Sequence, residues 1–360
     1  MPKNKVNNNI KLKSGGGILN DATDGLSVSD SVISRYYFGD GSDGDVIIST
    51  NTSLSRDMFY NNLTINSGVI LNPNGYRIYV KGLLSGEGKI ARNGNNGGNG
   101  GDSTSSVAGS AGSAGTALAA GSIAGALGGG AGGAGGDDAT VGDGYAGGAG
   151  SSSNSINQIS GVAGGHGGRG VNSSYTGAVG GAGGAATNEN AFIALTEKLT
   201  PETLNSVNSH PIGDLNQVLV LKGSISGLTL SSAPSNGGGG GGATGGGSGI
   251  SKGAGGGGAG GNGGIILIVA RNISNITFEA KGGNGGNGGN AGAATYVGGV
   301  GGGGAGGNGG LIVLVYKTIA NETITVTGGN PGLKGTIGRL TSATDGTAGN
   351  AGKYIKVLIS

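Results

Sequence analysis

Cysteine and tryptophan are missing from this 360-residue chain, histidine occurs twice, and aromatic side chains make up 4% of it. Without cysteine there is no disulfide framework and no thiolate metal site, so order in any redox compartment must come from backbone bonding and packing. Charge is scarce as well: charged residues are 11% of the chain, against about a quarter in ordinary domains, and the formal net charge is +2. No basic surface suggests a phosphate-backbone partner, so nucleic acid is not an expected ligand. The apolar runs, IILIVA from Ile265 and LIVLVY from Leu311, are too short to span a bilayer, and membrane insertion is not expected either. The first residues carry Lys3, Lys5, Lys11 and Lys13 but no apolar h-region, which sets the expectation of no secretory signal peptide.

What the chain does have is glycine, 92 residues of it. In GGNGGNGGN, Gly282 to Asn290, every third residue carries a side chain and the two between do not. Three residues per turn is the period of polyproline II, a helix without internal hydrogen bonds, so such a chain must find backbone partners elsewhere. Neighbouring tracts can supply them, with the asparagine column pointing outward. The opposing reading is a flexible linker, since glycine loses the most entropy on ordering. A repeat argues against it. Gly255 to Asn284 and Gly301 to Asn330 align without a gap at an offset of 46, with GGGGAGGNGG in both, Val269 over Val315 and Ile273 over Ile319. A linker has no reason to keep register, whereas stacked units do.

Each repeat couples a tract to an apolar run of the kind that suits a fully buried strand. RIYVKGLLSGEGKIARNG from Arg77 and QVLVLKGSISGLTL from Gln217 share the plan of strand, polar corner, second strand and glycine. The expected fold is mainly β with irregular structure: an amino-terminal β-layer or β-solenoid followed by a polyglycine II helix bundle, a glycine-rich sandwich, with one small helical insertion. Its expected parts are a basic and polar arm over 1–37 serving as an attachment segment, a β-meander or cap over 38–94, and a glycine-rich bundle over 95–360. Strands are expected near 217–230, 265–280, 311–326 and 353–359. The helical insertion falls near 190–210, where Phe192, Leu195 and Leu199 keep helical spacing and Thr200-Pro201-Glu202 reads as a helix start. Ordering a residue's backbone costs roughly 1–2 kcal/mol and a net hydrogen bond returns about 0.5–1.5 kcal/mol, so the strands must anchor the glycine.

Within the meander, Leu63, Ile65, Val69 and Leu71 alternate with polar residues, Pro73-Asn74-Gly75 reads as a turn, and Arg77, Tyr79 and Lys81 alternate with Ile78 and Val80. One face is expected to be core and the other wet. The surrounding stretch Phe38 to Gly82, through GDGSDGD, SRDMFYNNLTINSGV and NGYRIYVKG, resembles a segment that recurs near the start of glycine-rich proteins of tailed bacteriophages and prophages. The tracts interleaved with strands are similar to the polyglycine II domain of phage tail-fibre adhesins. These resemblances imply a virion tail protein that recognises the host surface; the low charge and the expected lack of an export signal fit a virion particle assembled in the host cytoplasm and released by lysis, with dedicated signal-less secretion as the alternative. The implied partners are a host cell-surface glycan or outer protein, other virion tail proteins, and further copies of the chain.

Candidate receptor-binding residues lie where the chain leaves the glycine pattern, because loops on a rigid scaffold are the usual place for contact. They are Tyr145, Asn154, His166, Arg169, Tyr175 and Tyr296: tyrosine rings stack on sugars and fill interface pockets, and asparagine supplies adjustable hydrogen bonds. Asp40, Asp43 and Asp45 in GDGSDGD are calcium candidates, since a hard cation wants several oxygens on a tight loop. Gly44 and Asn51 stand where an EF-hand needs ligands, so a plain Asp-Gly turn is the favoured reading and no metal or other cofactor is expected. No catalytic residue is assigned. His166 and His210 have no nucleophile motif beside them, and the chain has little bulky lining for a dry pocket. The acid clusters Asp137-Asp138-Asp143 and Glu197-Glu202 keep a polysaccharide depolymerase as one alternative. A purely structural fibre- or surface-forming virion protein is the other.

Overall fold

Runs rich in isoleucine, valine and leucine become strands, and glycine tracts connect them. The computed structural model describes residues 20–22, 25–27, 38–123, 125–136, 252–292, 299–336 and 343–358. Two short strands, β1 (Asn20–Ala22) and β2 (Gly25–Ser27), pair antiparallel. The others, all paired parallel, begin with β3 (Asp45–Ile48), β4 (Thr52–Ser53), β5 (Met58–Tyr60), β6 (Asn62–Ile65) and β7 (Ile70–Asn72). Next come β8 (Ile78–Ser85) and β9 (Lys89–Ala91), then β10 (Ile265–Ser274), β11 (Thr277–Glu279), β12 (Leu311–Ala320), β13 (Thr323–Thr325) and β14 (Lys353–Leu358).

The chain alternates between two sheets. One has the order β14-β12-β10-β8-β6-β3, with β5 also on β8; the other runs β13-β11-β9-β7-β4. The corner between a strand and its successor demands a left-handed residue. Asn275 (φ 52°) and Asn321 (φ 53°) fill equivalent corners, and asparagine enters that region more readily than other side chains. The earlier corner uses Gly86 at φ 120°, where a Cβ would also stand 2.1 Å from the Ile65 carbonyl oxygen. Between the sheets lies one apolar core, which includes Leu63, Ile65, Leu71, Ile90, Ile268, Phe278 and Leu314, all fully buried.

The repeat is a register. Strands β10 and β12 pair at a constant offset, Ile265 to Leu311 through Ser274 to Ala320, and the same 46-residue step recurs in side-chain bonds such as Asn330 N–H to Asn284 Oδ1. From the strands, the glycine segments run out and back: 92–102 out, 109–117 back, 127–136 out, 252–264 back, 280–291 out, 299–310 back, 326–336 out and 343–352 back. Each third residue faces the same neighbour. In 252–264, Gly257, Gly260 and Gly263 donate to Gly302, Ala305 and Asn308, while Gly258, Gly261 and Gly264 donate to Gly98, Asn95 and Arg92. Gly256, Ala259 and Asn262 donate to Gly133, Gly130 and Leu127. Every N–H from Gly253 to Gly264 therefore ends on a carbonyl of another segment, which answers the cost of burying a backbone without a strand ladder.

Three expectations are corrected. The described residues form mostly parallel sheet, without a helix among them, rather than a β-layer or β-solenoid followed by a polyglycine II helix bundle. The reason lies in the coupling of run and tract: the glycine segments take no regular secondary structure of their own, and 92–102, 252–264, 280–291, 299–310, 326–336 and 343–352 each adjoin a strand of one of the two sheets, so no separate bundle stands beside the strands. Second, Tyr79 is not on a wet face. It is 3% exposed and stacked on Phe59 at 4.8 Å and 3°, so the first residues of β8 are covered on both sides. Third, the exposed asparagines do more than point outward, since their Oδ1 atoms accept neighbouring backbone N–H groups: Asn284 accepts from Asn330 and Asn287 from Leu333, each at 2.9 Å. The helical insertion near 190–210 and the strand near 217–230 lie outside the described residues.

Candidate functional site

The far ends of the glycine segments, away from the strands, meet at one tip. Ser103 N–H donates to Asn290 O, Lys252 N–H to Thr104 O, Gly253 N–H to Gly136 O, Ala254 N–H to Gly299 O and Gly335 N–H to Gly301 O. The residues that flank 137–251, 293–298 and 337–342 are thus all neighbours in space. Gly136 and Gly253, on either side of the longest interval, are hydrogen-bonded at 3.1 Å. The floor of the tip is a small apolar cluster of Ala291, Val300 and Ala343, buried together. Thr104 shapes the one fully described turn there: its Oγ1 accepts from Val107 N–H at 3.0 Å and from Ser106 N–H at 3.2 Å, leaving Val107 61% exposed. Asp102 Oδ1 accepts from Asn290 N–H and Asp345 Oδ1 from Lys334 N–H, so both carboxylates hold tip backbone in place.

The candidate receptor-binding residues Tyr145, Asn154, His166, Arg169, Tyr175 and Tyr296 lie outside the described residues. They belong to the intervals 137–251 and 293–298, whose described flanks converge at the tip. The floor residues Ala291, Val300 and Ala343 are not in the sequence reading. The signal for them was present, because each sits where the glycine period breaks.

The three aspartates of GDGSDGD lie on the strand layer instead, and each carboxylate has its own task. Asp40 Oδ1 accepts from Ser42 N–H at 2.9 Å, closing the Asp-Gly turn. Asp43 pairs with Arg56 at 2.5 Å and accepts from Phe59 N–H at 2.6 Å; the Arg56 hydrogen bond, aided by that amide, holds its pKa below the usual carboxylate range. Asp45 accepts from Asn61 and Asn62 side-chain amides at 2.7 and 2.8 Å, and these bonds depress its pKa too. The oxygens are spent on protein donors and do not converge on a point. Among the described residues no group of three such side chains is placed to hold a metal ion.

Two charged clusters join the strand layer to the glycine. Arg92 is 2% exposed and donates to Ala119 O and Ile265 O, and burial pushes its pKa down to about 10, still cationic at neutral pH. Burial raises the Glu279 pKa, but Lys89, Lys281 and Asn93 together outweigh it and hold the carboxylate ionised. Both are structural joints between β9, β10 and β11 and the tracts that leave them. No family model, no curated protein and no solved structure matches the chain.

Proposed function

We propose that this chain is a bacteriophage tail fibre or tail tip protein that acts as a non-enzymatic, receptor-binding adhesin for a host cell surface. The observation that carries this reading is the tip, where the flanks of 137–251, 293–298 and 337–342 are drawn together by backbone hydrogen bonds. A scaffold with its amides paired costs no further ordering when it presents side chains, and preorganisation of that kind is what a binding surface needs. The likeness of Phe38 to Gly82 to a segment of phage glycine-rich proteins supports the virion setting, and the scarcity of charge fits assembly in the host cytoplasm and release by lysis. The ligand is then a cell-surface glycan or outer protein, contacted by Tyr145, Asn154, His166, Arg169, Tyr175 and Tyr296.

The test is binding of the purified, labelled chain to a panel of intact bacterial isolates. Saturable binding to some isolates, abolished by joint Tyr145→Ala, Tyr175→Ala and Tyr296→Ala with an unchanged melting temperature, is the expected result. Unaltered binding by the triple variant would remove these tyrosines from the role. Reducing ends released from purified capsule would replace the adhesin with a depolymerase.

A further inference from the structure

The sequence holds nine Asn-Gly dipeptides, and eight of them lie among the described residues. Asparagine is a thermolabile residue, and before glycine it is most open to self-modification, because the glycine amide has no side chain beside it to hinder attack on the carboxamide. In the glycine layer both reacting groups are engaged elsewhere. Asn96 Oδ1 accepts from Asn284 N–H at 2.8 Å and Gly97 N–H donates to Asn284 O at 2.8 Å, so the dipeptide grips one residue of the next segment at two points. Asn99-Gly100 grips Asn287 in the same way, Asn93-Gly94 grips Lys281, Asn284-Gly285 grips Asn330 and Asn287-Gly288 grips Leu333. Asn262-Gly263 on Asn308, and Asn308-Gly309 on Asn350, repeat the arrangement with buried asparagines.

Asn74-Gly75 is held differently. It occupies the two left-handed positions of the turn closed by Tyr76 N–H on Pro73 O at 2.8 Å, with φ 50° at Asn74 and 86° at Gly75. Asn74 is exposed and its Nδ2 donates to Leu54 O at 3.2 Å, while its Oδ1 and the Gly75 N–H are bonded to no group among the described residues. We propose that Asn74 is a modification site, at which the chain converts its own carboxamide to a carboxylate through a cyclic imide. The Gly75 amide, having lost its proton to hydroxide, attacks Asn74 Cγ. The new C–N bond closes a five-membered ring and the Cγ–Nδ2 bond breaks, Nδ2 leaving as ammonia with a proton from water. A further water opens the ring at either carbonyl to give aspartate or isoaspartate, and nothing is oxidised or reduced. Gly75 packs against Gly121, where a Cβ would lie 2.6 Å from the Gly121 nitrogen, so the reaction is spontaneous and not that of a bound enzyme. Its consequence falls on a joint: Gly75 O accepts from Ile123 N–H at 2.8 Å, and isoaspartate adds a methylene to the backbone of the turn that places this carbonyl.

Incubation of the full chain at mildly alkaline pH, followed by peptide mapping that separates asparagine, aspartate and isoaspartate at each site, tests this. In the folded chain Asn74 should convert about tenfold faster or more than any of the seven asparagines of the glycine layer, which react only when their segments open. In denaturing urea the eight sites should approach one rate, since the dipeptide is the same and the lattice is gone. Asn74→Ser should abolish the early product and the ammonia released with it. Eight sites reacting alike in the folded chain, an Asn74 as slow as Asn96 and Asn284, or early ammonia that persists in Asn74→Ser would each overturn the inference. The comparison is made within one unmutated chain, so it does not depend on the folding of the variant, and it rests on the turn and not on receptor binding.

Discussion

The strand layer and the glycine layer are ordered by opposite means. Between the sheets, Leu63, Ile90, Phe278 and their neighbours leave water as bulky side chains and the backbone follows. In the tracts there is almost nothing to bury: Ala259 and Ala305, one repeat apart, form an apolar contact of their own, and order comes from amides answered by carbonyls on adjacent segments. The first layer tolerates a change of side chain if volume is kept. The second tolerates almost no side chain at all.

Adding bulk to the glycine layer should therefore have the largest effect. A Cβ on Gly258 would lie 1.9 Å from the Ser113 carbonyl oxygen, with no side chain to give way. Gly258→Val should cost more than about 5 kcal/mol and abolish the cooperative thermal transition, whereas Ala259→Gly, at a position that already accepts a methyl, should cost less than about 1 kcal/mol. Equal sensitivity at both positions would erase the contrast between a lattice and a loose tract. In the strand layer, Phe278→Ala should cost about 3–5 kcal/mol in denaturant melts through the cavity it leaves. A value near zero would mean the tracts alone hold the molecule.

The third effect sharpens the boundary between the layers. Asn284 Oδ1 accepts from Asn330 N–H at 2.9 Å, so Asn284→Ala should cost about 1–2 kcal/mol and speed amide exchange at Asn330 more than at Ile268. Uniform exchange changes across both layers would show that they do not open separately. The smallest effect is in acid. Asp43, Asp45, Glu279 and Glu322 have pKa values held below their ordinary range in the folded chain. Their contribution is present above the unfolded carboxylate pKa of about 4 and is lost as pH falls through the lower folded values. Melting temperature should stay level from neutral pH to about 5 and decline below 4, with Arg56→Met shallowing the decline by removing the first cause of the Asp43 shift.

Much of this plan could be read from residues, and the parts that could not have a common cause. The runs from Ile265 and Leu311 announced strands, and the gapless alignment announced that Val269 would stand beside Val315. Tyr79 misled because alternation along β8 identifies two faces but not whether a second aromatic, Phe59, lies over the outer one. Asn284 was legible as exposed yet not as an acceptor, since its donor, Asn330, is 46 residues away and its own N–H reaches Asn96, 188 residues away. For the site, the breaks in period marked where the chain leaves the tracts, but nothing local says that those breaks meet.

By itself the sequence determined periodicities: a three-residue glycine spacing, a strand-and-corner unit and a 46-residue step. Each is set by neighbours along the chain, through backbone freedom and the alternation of side chains. Only the tertiary structure decided that Gly258 faces Gly98 and Gly286, that the strands divide between two sheets, and that Gly136 returns to Gly253. Hydrogen bonds between backbone groups carry no side-chain signature, so their partners are chosen by the whole fold and not by any local stretch of it.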